Sequence, residues 1–157
     1  MPGPTAAYAA VGQLRDAIQD LDEAIRLDPQ DARAYRERGA AQAGLGNLER
    51  AIEDLDEAVR LDPQDVSAYY HRAESYGRLG QDRLARQDFD VAIRLDPDDA
   101  SVYLKRSAFY LGQGQSQRAI QDLDRAILLA PQDLGAYYAR DLVYFGQDRM
   151  GTAIQDF

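Results

Sequence analysis

One spacing governs this chain. Leu27-Asp28-Pro29, Leu61-Asp62-Pro63, Leu95-Asp96-Pro97 and Leu129-Ala130-Pro131 stand 34 residues apart. The same interval joins Ala17, Ala51, Ala85, Ala119 and Ala153, then Ala24, Ala58, Ala92 and Ala126, then Tyr35, Tyr69, Tyr103 and Tyr137. Four columns held in one register without an insertion define a repeat protein, in which each repeat is one supersecondary element supported by its neighbours.

Each repeat reads as two helices. In the stretch from Ala32 to Pro63, Asp31 stands where a helix N-cap belongs, and Asp65, Asp99 and Asp133 recur there. A short carboxylate can accept an orphan amide of the first turn. The helix that follows carries Tyr35 and runs to about Gly44, and Gly44 and Gly46 are expected to break it, since glycine readily adopts the left-handed conformation of a helix end. Leu48, Ala51, Ile52, Leu55, Ala58 and Val59 then fall at spacings of three and four, one stripe of a second helix. Pro63 stops it, because proline disfavours helical geometry at the residue before it and has no amide to donate. Strand-type alternation appears nowhere. Ala51 and Ala58 are small where two helices must approach, with Tyr35 and Leu55 filling the space beside them. So short a pair cannot bury its stripe alone, and stacked neighbours make a continuous core.

Composition removes several function classes. The chain has no Cys, which excludes a disulfide scaffold, a thiolate metal site and a cysteine nucleophile, and its one His excludes a His-rich metal site. No cofactor is expected. Against 27 acidic residues stand 18 basic ones, a net charge of −9 that argues against nucleic acid as a partner. No apolar run approaches the roughly 20 residues that cross a bilayer, so no membrane is expected either. The opening MPGPTAAY lacks the cationic and apolar regions of a secretory signal, which with the absence of Cys is compatible with a cytoplasm.

Catalytic constellations are equally scarce. His71, Ser67 and Ser75 share a helix face, but a nucleophile–base pair needs an orienting acid and an oxyanion hole, and nothing supplies them. The recurring Asp-x-Asp, at Asp20 and Asp22, Asp54 and Asp56, Asp88 and Asp90, and Asp122 and Asp124, diverges by roughly 200° around a helix, so the two groups cannot share a proton or a metal. Gly44-Leu45-Gly46 and Gly112-Gln113-Gly114 lack the third glycine, the lysine and the preceding strand of a phosphate loop, and read as turn glycines. The chain is read as not an enzyme. Asp22 and Arg26, Asp56 and Arg60, and Asp90 and Arg94 are expected to form solvated pairs four apart.

A 34-residue helix–turn–helix with this aromatic, Gly, Ala, Ala, Pro order resembles the tetratricopeptide repeat family, from about Thr5 to Phe157. The matching columns are Tyr35, Gly39, Gly46, Ala51, Leu55, Ala58 and Pro63 in residues 32–65. In residues 66–99 they are Tyr69, Ala73, Tyr76, Gly80, Ala85, Phe89, Ala92 and Pro97, and in residues 100–133 Tyr103, Ser107, Tyr110, Gly114, Ala119, Leu123, Ala126 and Pro131. Residues 1–31 read as a partial repeat, the tail of a first helix around Tyr8 and a second helix from Leu14 to Leu27. Residues 134–157 read as another, a first helix and about half a second, Thr152-Ala153-Ile154-Gln155-Asp156-Phe157. Asp141 and Asp148 stand where the family prefers small residues or glycine. The resemblance implies an all-α fold, an α-α superhelix, that is, a right-handed solenoid of antiparallel helix pairs. With no polar capping helix after Phe157, two expectations stay open: an excerpt of a longer array, or a homo-oligomer whose open ends dock on copies of itself.

Arg38, Arg72, Arg106 and Arg140 recur where that family usually has an aliphatic residue near the helix seam. A buried charge needs a partner, and Asp54, Asp88 and Asp122, unused by the four-apart pairs, are the expected ones, forming a ladder along the stack.

In this family the first helix of each repeat lines the concave surface. The resemblance therefore assigns a peptide-binding groove to Arg33, Arg36, Tyr70, His71, Glu74, Leu104, Lys105, Leu111, Tyr138, Leu142 and Phe145. The set is basic at Arg33, Arg36, His71 and Lys105, and apolar at Leu104, Leu111, Tyr138, Leu142 and Phe145. An extended protein or peptide segment with acidic residues beside an apolar anchor complements it. The Lys/Asn/Asn/Lys/Arg clamp of the chaperone-tail subfamily is not reproduced by Arg36, Ala40, His71, Ser101 and Lys105, nor one repeat later by Tyr70, Glu74, Lys105, Gly135 and Ala139. The expected function is a non-catalytic protein–protein interaction module. The alternatives are a self-assembling scaffold and the repeat portion of a larger multidomain protein.

Overall fold

The computed structural model describes residues 4–155, with side chains over residues 11–146, and among these residues it holds helices and no strand. The helices are α1 (Pro4–Leu27), α2 (Ala32–Gly44), α3 (Leu48–Leu61), α4 (Val66–Arg78), α5 (Asp82–Leu95), α6 (Ala100–Gly112), α7 (Ser116–Leu129) and α8 (Leu134–Gln155). They form two compact units, Met1–Leu95 and Asp96–Phe157. In the first, α2 lies along α3 and α4 along α5, while α1 packs on α2, α3 on α4, and α2 also meets α4. In the second, α6 lies along α7, and α7 packs on α8. The all-α reading is met.

Local chemistry sets these boundaries. The Asp31 carboxylate accepts from the amide of Ala34 at 3.1 Å and Asp65 from that of Ala68 at 3.2 Å, while Asp99 and Asp133 accept one position earlier, from Ser101 and Gly135. Each is a side-chain cap on a first helix. The turn inside each helix pair rests on one glycine: Gly46, Gly80 and Gly114 have φ of +83°, +73° and +69°. After each, the amides of Asn47, Gln81 and Gln115 reach back to the carbonyls of Gln42, Tyr76 and Tyr110, closing the preceding helix. Gly44 and Gly112, expected to share in the break, are instead the last helical residues.

The core follows the small–large columns. Ala51, Leu55, Ala58 and Ala68 pack together in the first unit, with Ala85, Phe89 and Ala92 also fully buried there, and Ala119, Leu123 and Ala126 are buried in the second. At Gly39 the helices come so close that a Cβ would lie 2.7 Å from Leu55 Cγ and 3.0 Å from the Ala51 carbonyl oxygen.

Two elements differ from expectation. Helix α1 is continuous from Pro4 through Gly12, which occupies the column of the turn glycines. Glycine permits the left-handed turn without requiring it, and Ala6, Ala7, Ala9 and Ala10 are strong helix formers. Helix α8 likewise continues from Leu134 to Gln155 rather than breaking into two. There the turn column holds Asp148, and a residue with a Cβ resists the left-handed conformation by about 1–2 kcal/mol. The side chains of Tyr8 and of Thr152–Gln155, with Asp156 and Phe157 altogether, lie outside the described residues.

Candidate functional site

The arginine column is a built network. In the first unit Arg38 donates through Nε and Nη2 to Asp54, at 2.9 and 2.6 Å, and Arg72 to Asp88 at 2.7 and 2.8 Å. In the second, Arg106 grips Asp122 at 2.8 Å through both nitrogens. The remaining nitrogen points the other way along the chain: Nη1 of Arg38 reaches Asp22, that of Arg72 reaches Asp56 and that of Arg140 reaches Asp124, each at 2.6 Å. Each guanidinium also lies over a ring. Arg72 sits between Tyr69 and Tyr76 at 5.5 and 6.0 Å, and Arg106 between Tyr103 and Tyr110 at 5.9 and 5.7 Å.

This ladder meets the expectation and corrects its neighbour. The Asp-x-Asp carboxylates diverge because they serve different arginines: Asp54 holds Arg38, while Asp56 holds Arg72. The four-apart pairs at Asp22 and Asp56 are therefore not made. Arg26 and Arg60 turn instead to Glu23 and Glu57, three residues back. The bond to Asp54 raises the pKa of Arg38, outweighing burial, and at Arg72 burial works to lower it while Asp88 and Asp56 raise it further. These guanidinium groups stay cationic and join neighbouring helices through their hydrogen bonds.

The groove residues fall on faces of different character. In the first unit, Ala40, Ala43, Gly44, His71, Glu74, Ser75 and Arg78 line a hollow between α2 and α4. Arg78 crosses it, its Nη1 donating to the Ala43 carbonyl at 2.6 Å. His71 Nδ1 lies 3.5 Å from Glu74, and its ring is tilted against that of Tyr70 at 4.4 Å. The Ser75 hydroxyl is buried and donates to the His71 carbonyl at 2.9 Å. Arg36 is already engaged within the protein: it donates to Asp65 at 2.8 Å and to Glu37 at 2.6 Å, bracing the cap of α4. Arg33, by contrast, is exposed, 4.0 Å from Glu37. Sequence reasoning missed that Asp65, the cap, is also a counter-ion.

In the second unit the face is apolar. Tyr138, Leu142 and Phe145 recur along one side of α8 and are 67%, 52% and 59% exposed. Leu111 is exposed on α6, and Lys105 is half-buried on the same helix. Leu104 is drawn into the cluster of Ile120, Leu123 and Val143, so it contributes to packing. Among the described residues no helix is long and apolar enough to cross a membrane.

Comparison with known proteins agrees with this fold. Three family models described as tetratricopeptide repeat match residues 5–69, 41–100 and 89–121. The fold is similar to a crystal structure of MamA, with a TM-score of 0.72 at 23% identity, covering 99% of this chain and 91% of that one. It is similar also to TTC0263, a thermophilic protein of Thermus thermophilus, with a TM-score of 0.78 at 21% identity over 85% of this chain and 74% of that one. A third is the first repeat domain of Spaghetti (RPAP3) bound to an HSP90 peptide, with a TM-score of 0.69 at 23% identity over 76% of this chain and 97% of that one. No curated protein sequence matches the chain.

Proposed function

We propose that this chain, which belongs to the tetratricopeptide repeat family, is a non-catalytic module that binds a protein or peptide segment on the faces of its first helices. The observation that supports the reading best is the hollow between α2 and α4, lined by the small residues Ala40, Ala43 and Gly44 together with His71, Glu74, Ser75 and Arg78. Such a hollow takes an extended chain, whose backbone bonds to the polar groups while a side chain packs on the small residues. Arg78 supplies cationic attraction there and Arg33 supplies it at the first turn of α2, while Tyr138, Leu142 and Phe145 supply exposed apolar area on α8. Acidic residues next to an apolar anchor are the ligand chemistry these groups favour. The repeat domain of RPAP3 was solved with a peptide, HSP90 SRMEEVD, which supports a peptide as the class of partner. A catalytic reading finds little support, because the buried Ser75 hydroxyl is spent on the His71 carbonyl.

A displayed random peptide library panned against the whole chain tests this reading. The expected yield is peptides pairing Asp or Glu with Leu, Ile or Phe, whose binding weakens on Arg33→Glu and on Tyr138→Ala with Phe145→Ala. A panel of enriched peptides indifferent to all these changes would place recognition elsewhere and end the proposal, as would no enrichment at all.

A further inference from the structure

We propose that a hollow of the first unit, between Arg38 and Arg50, is a slot for an aromatic side chain of a partner protein, tyrosine above all. The second unit shows what such a slot holds. There the ring of Tyr110 carries the guanidinium of Arg106 at 5.7 Å and that of Arg118 at 5.7 Å, so one tyrosine lies against two cations. Two repeats earlier the same columns hold Gln42, Arg38 and Arg50. Both arginines are kept and the ring is not.

The ladder shows the same gap from its own side. Arg38 has a first ring, Tyr35, at 5.6 Å, as Arg72 has Tyr69 and Arg106 has Tyr103. The second ring is Tyr76 for Arg72 and Tyr110 for Arg106, and in that column Arg38 has Gln42. The Gln42 amide is engaged at the turn, where its Oε1 accepts from Asn47 Nδ2 at 2.8 Å.

Space remains where the ring would lie. Arg38, Gln42 and Arg50 line a hollow of about 280 Å³, together with Ile18 of α1 and Glu53 of α3. Pockets for whole small ligands start at about 300 Å³, so this one suits a single side chain. Its chemistry selects the occupant. All three nitrogens of Arg38 already donate to carboxylates, Nε and Nη2 to Asp54 and Nη1 to Asp22. An incoming carboxylate finds those donors taken, whereas an aromatic face uses the plane of the guanidinium rather than its edge. The two carboxylates also hold that plane in place, so little ordering is left for a ligand to impose. Half-buried Ile18 adds apolar contact, and Glu53, exposed at the rim, offers an acceptor for a phenol hydroxyl. A lysine would be drawn to Glu53 but set against Arg38 and Arg50.

The slot shares no residue with the hollow between α2 and α4, so it stands apart from peptide binding there and can fail without it. Titration of the whole isotope-labelled chain with N-acetyl-tyrosine amide, followed at the arginine Nε–H resonances, tests the proposal. The Arg38 signal is expected to move, while those of Arg72 and Arg106, which already carry two rings each, stay in place. N-acetyl-leucine amide and N-acetyl-lysine amide are expected to move none of them. Gln42→Tyr puts a ring into the slot and should abolish the shift. Arg50→Gln, a change at an exposed position, should weaken binding by about two- to fivefold, the worth of one exposed cation–π contact, and it serves alone if Gln42→Tyr fails to fold. An Arg38 signal indifferent to the tyrosine amide overturns the proposal. So does an equal shift with the leucine or lysine amide, or binding unchanged in the folded variants.

Discussion

Asp88 takes both Nε and Nη2 of Arg72, at 2.7 and 2.8 Å, while Nη1 of the same guanidinium reaches Asp56 on the preceding helix pair at 2.6 Å. Arg72 thus ties one repeat to the next as well as its own two helices together. Removing it strands a buried carboxylate, so Arg72→Ala should cost about 3–5 kcal/mol, the range for breaking one side of a buried pair. Arg60→Ala removes an equally short bond to Glu57 at a solvent-exposed position and should leave the midpoint of urea unfolding unchanged. Equal shifts for the two variants would remove the ladder from the stability of the stack.

The two glycines of Gly112-Gln113-Gly114 should respond oppositely to the same change. Gly114 has φ of +69°, so Gly114→Ala should destabilise by about 1–2 kcal/mol. Gly112 is helical and a Cβ there meets nothing within 4 Å, so Gly112→Ala should stabilise by up to ~1 kcal/mol. Thermal melts of the pair check both signs.

That contrast marks where sequence stops being legible. The columns of Ala51, Ala85 and Ala119 announce helices in contact, and all three are fully buried. Periodicity says that a pair of glycines ends a helix, but which of Gly44 and Gly46 turns left-handed depends on where the chain must fold back. The ladder was readable at Arg38 and Asp54 because an arginine at a seam needs a carboxylate. Its second half was not, since Asp22 has Arg26 four residues away and a local pair looks sufficient until Glu23 takes that arginine. For the groove, residue type named the faces, while the spending of Arg36 on Asp65 depends on a neighbouring repeat, which no single helix pattern contains.

Tyr76 lies against Arg72, and burial raises its pKa above the ordinary tyrosine value, with Asp56 and Asp88 acting in the same sense and Arg72 against it. An acid whose pKa is raised on folding contributes stability that is fully present below its unfolded value, about 10, and is lost as pH rises through the folded one. Tyr76→Phe should therefore show a shallower loss of stability above pH ~10 than the parent chain. Identical alkaline limbs in denaturant titrations would mean that this phenol is not held in its neutral form by the stack.

Arg33 and Arg36 stand one turn apart on α2 and should separate binding from folding. Arg33 is exposed and loosely placed 4.0 Å from Glu37, so Arg33→Glu should leave stability within about 0.5 kcal/mol and slow association with an acidic peptide, more at low salt than at high. Arg36 is half-buried and donates to Asp65, whose other oxygen caps α4 through the Ala68 amide. Arg36→Glu replaces that donor with a like charge and should cost about 2–4 kcal/mol, combining a lost charged hydrogen bond with repulsion at the cap. Stability curves and association rates measured on both variants give the check. If Arg36→Glu slows association while leaving the unfolding midpoint in place, Arg36 belongs to the binding surface after all, and the Asp65 contact is too weak to hold it.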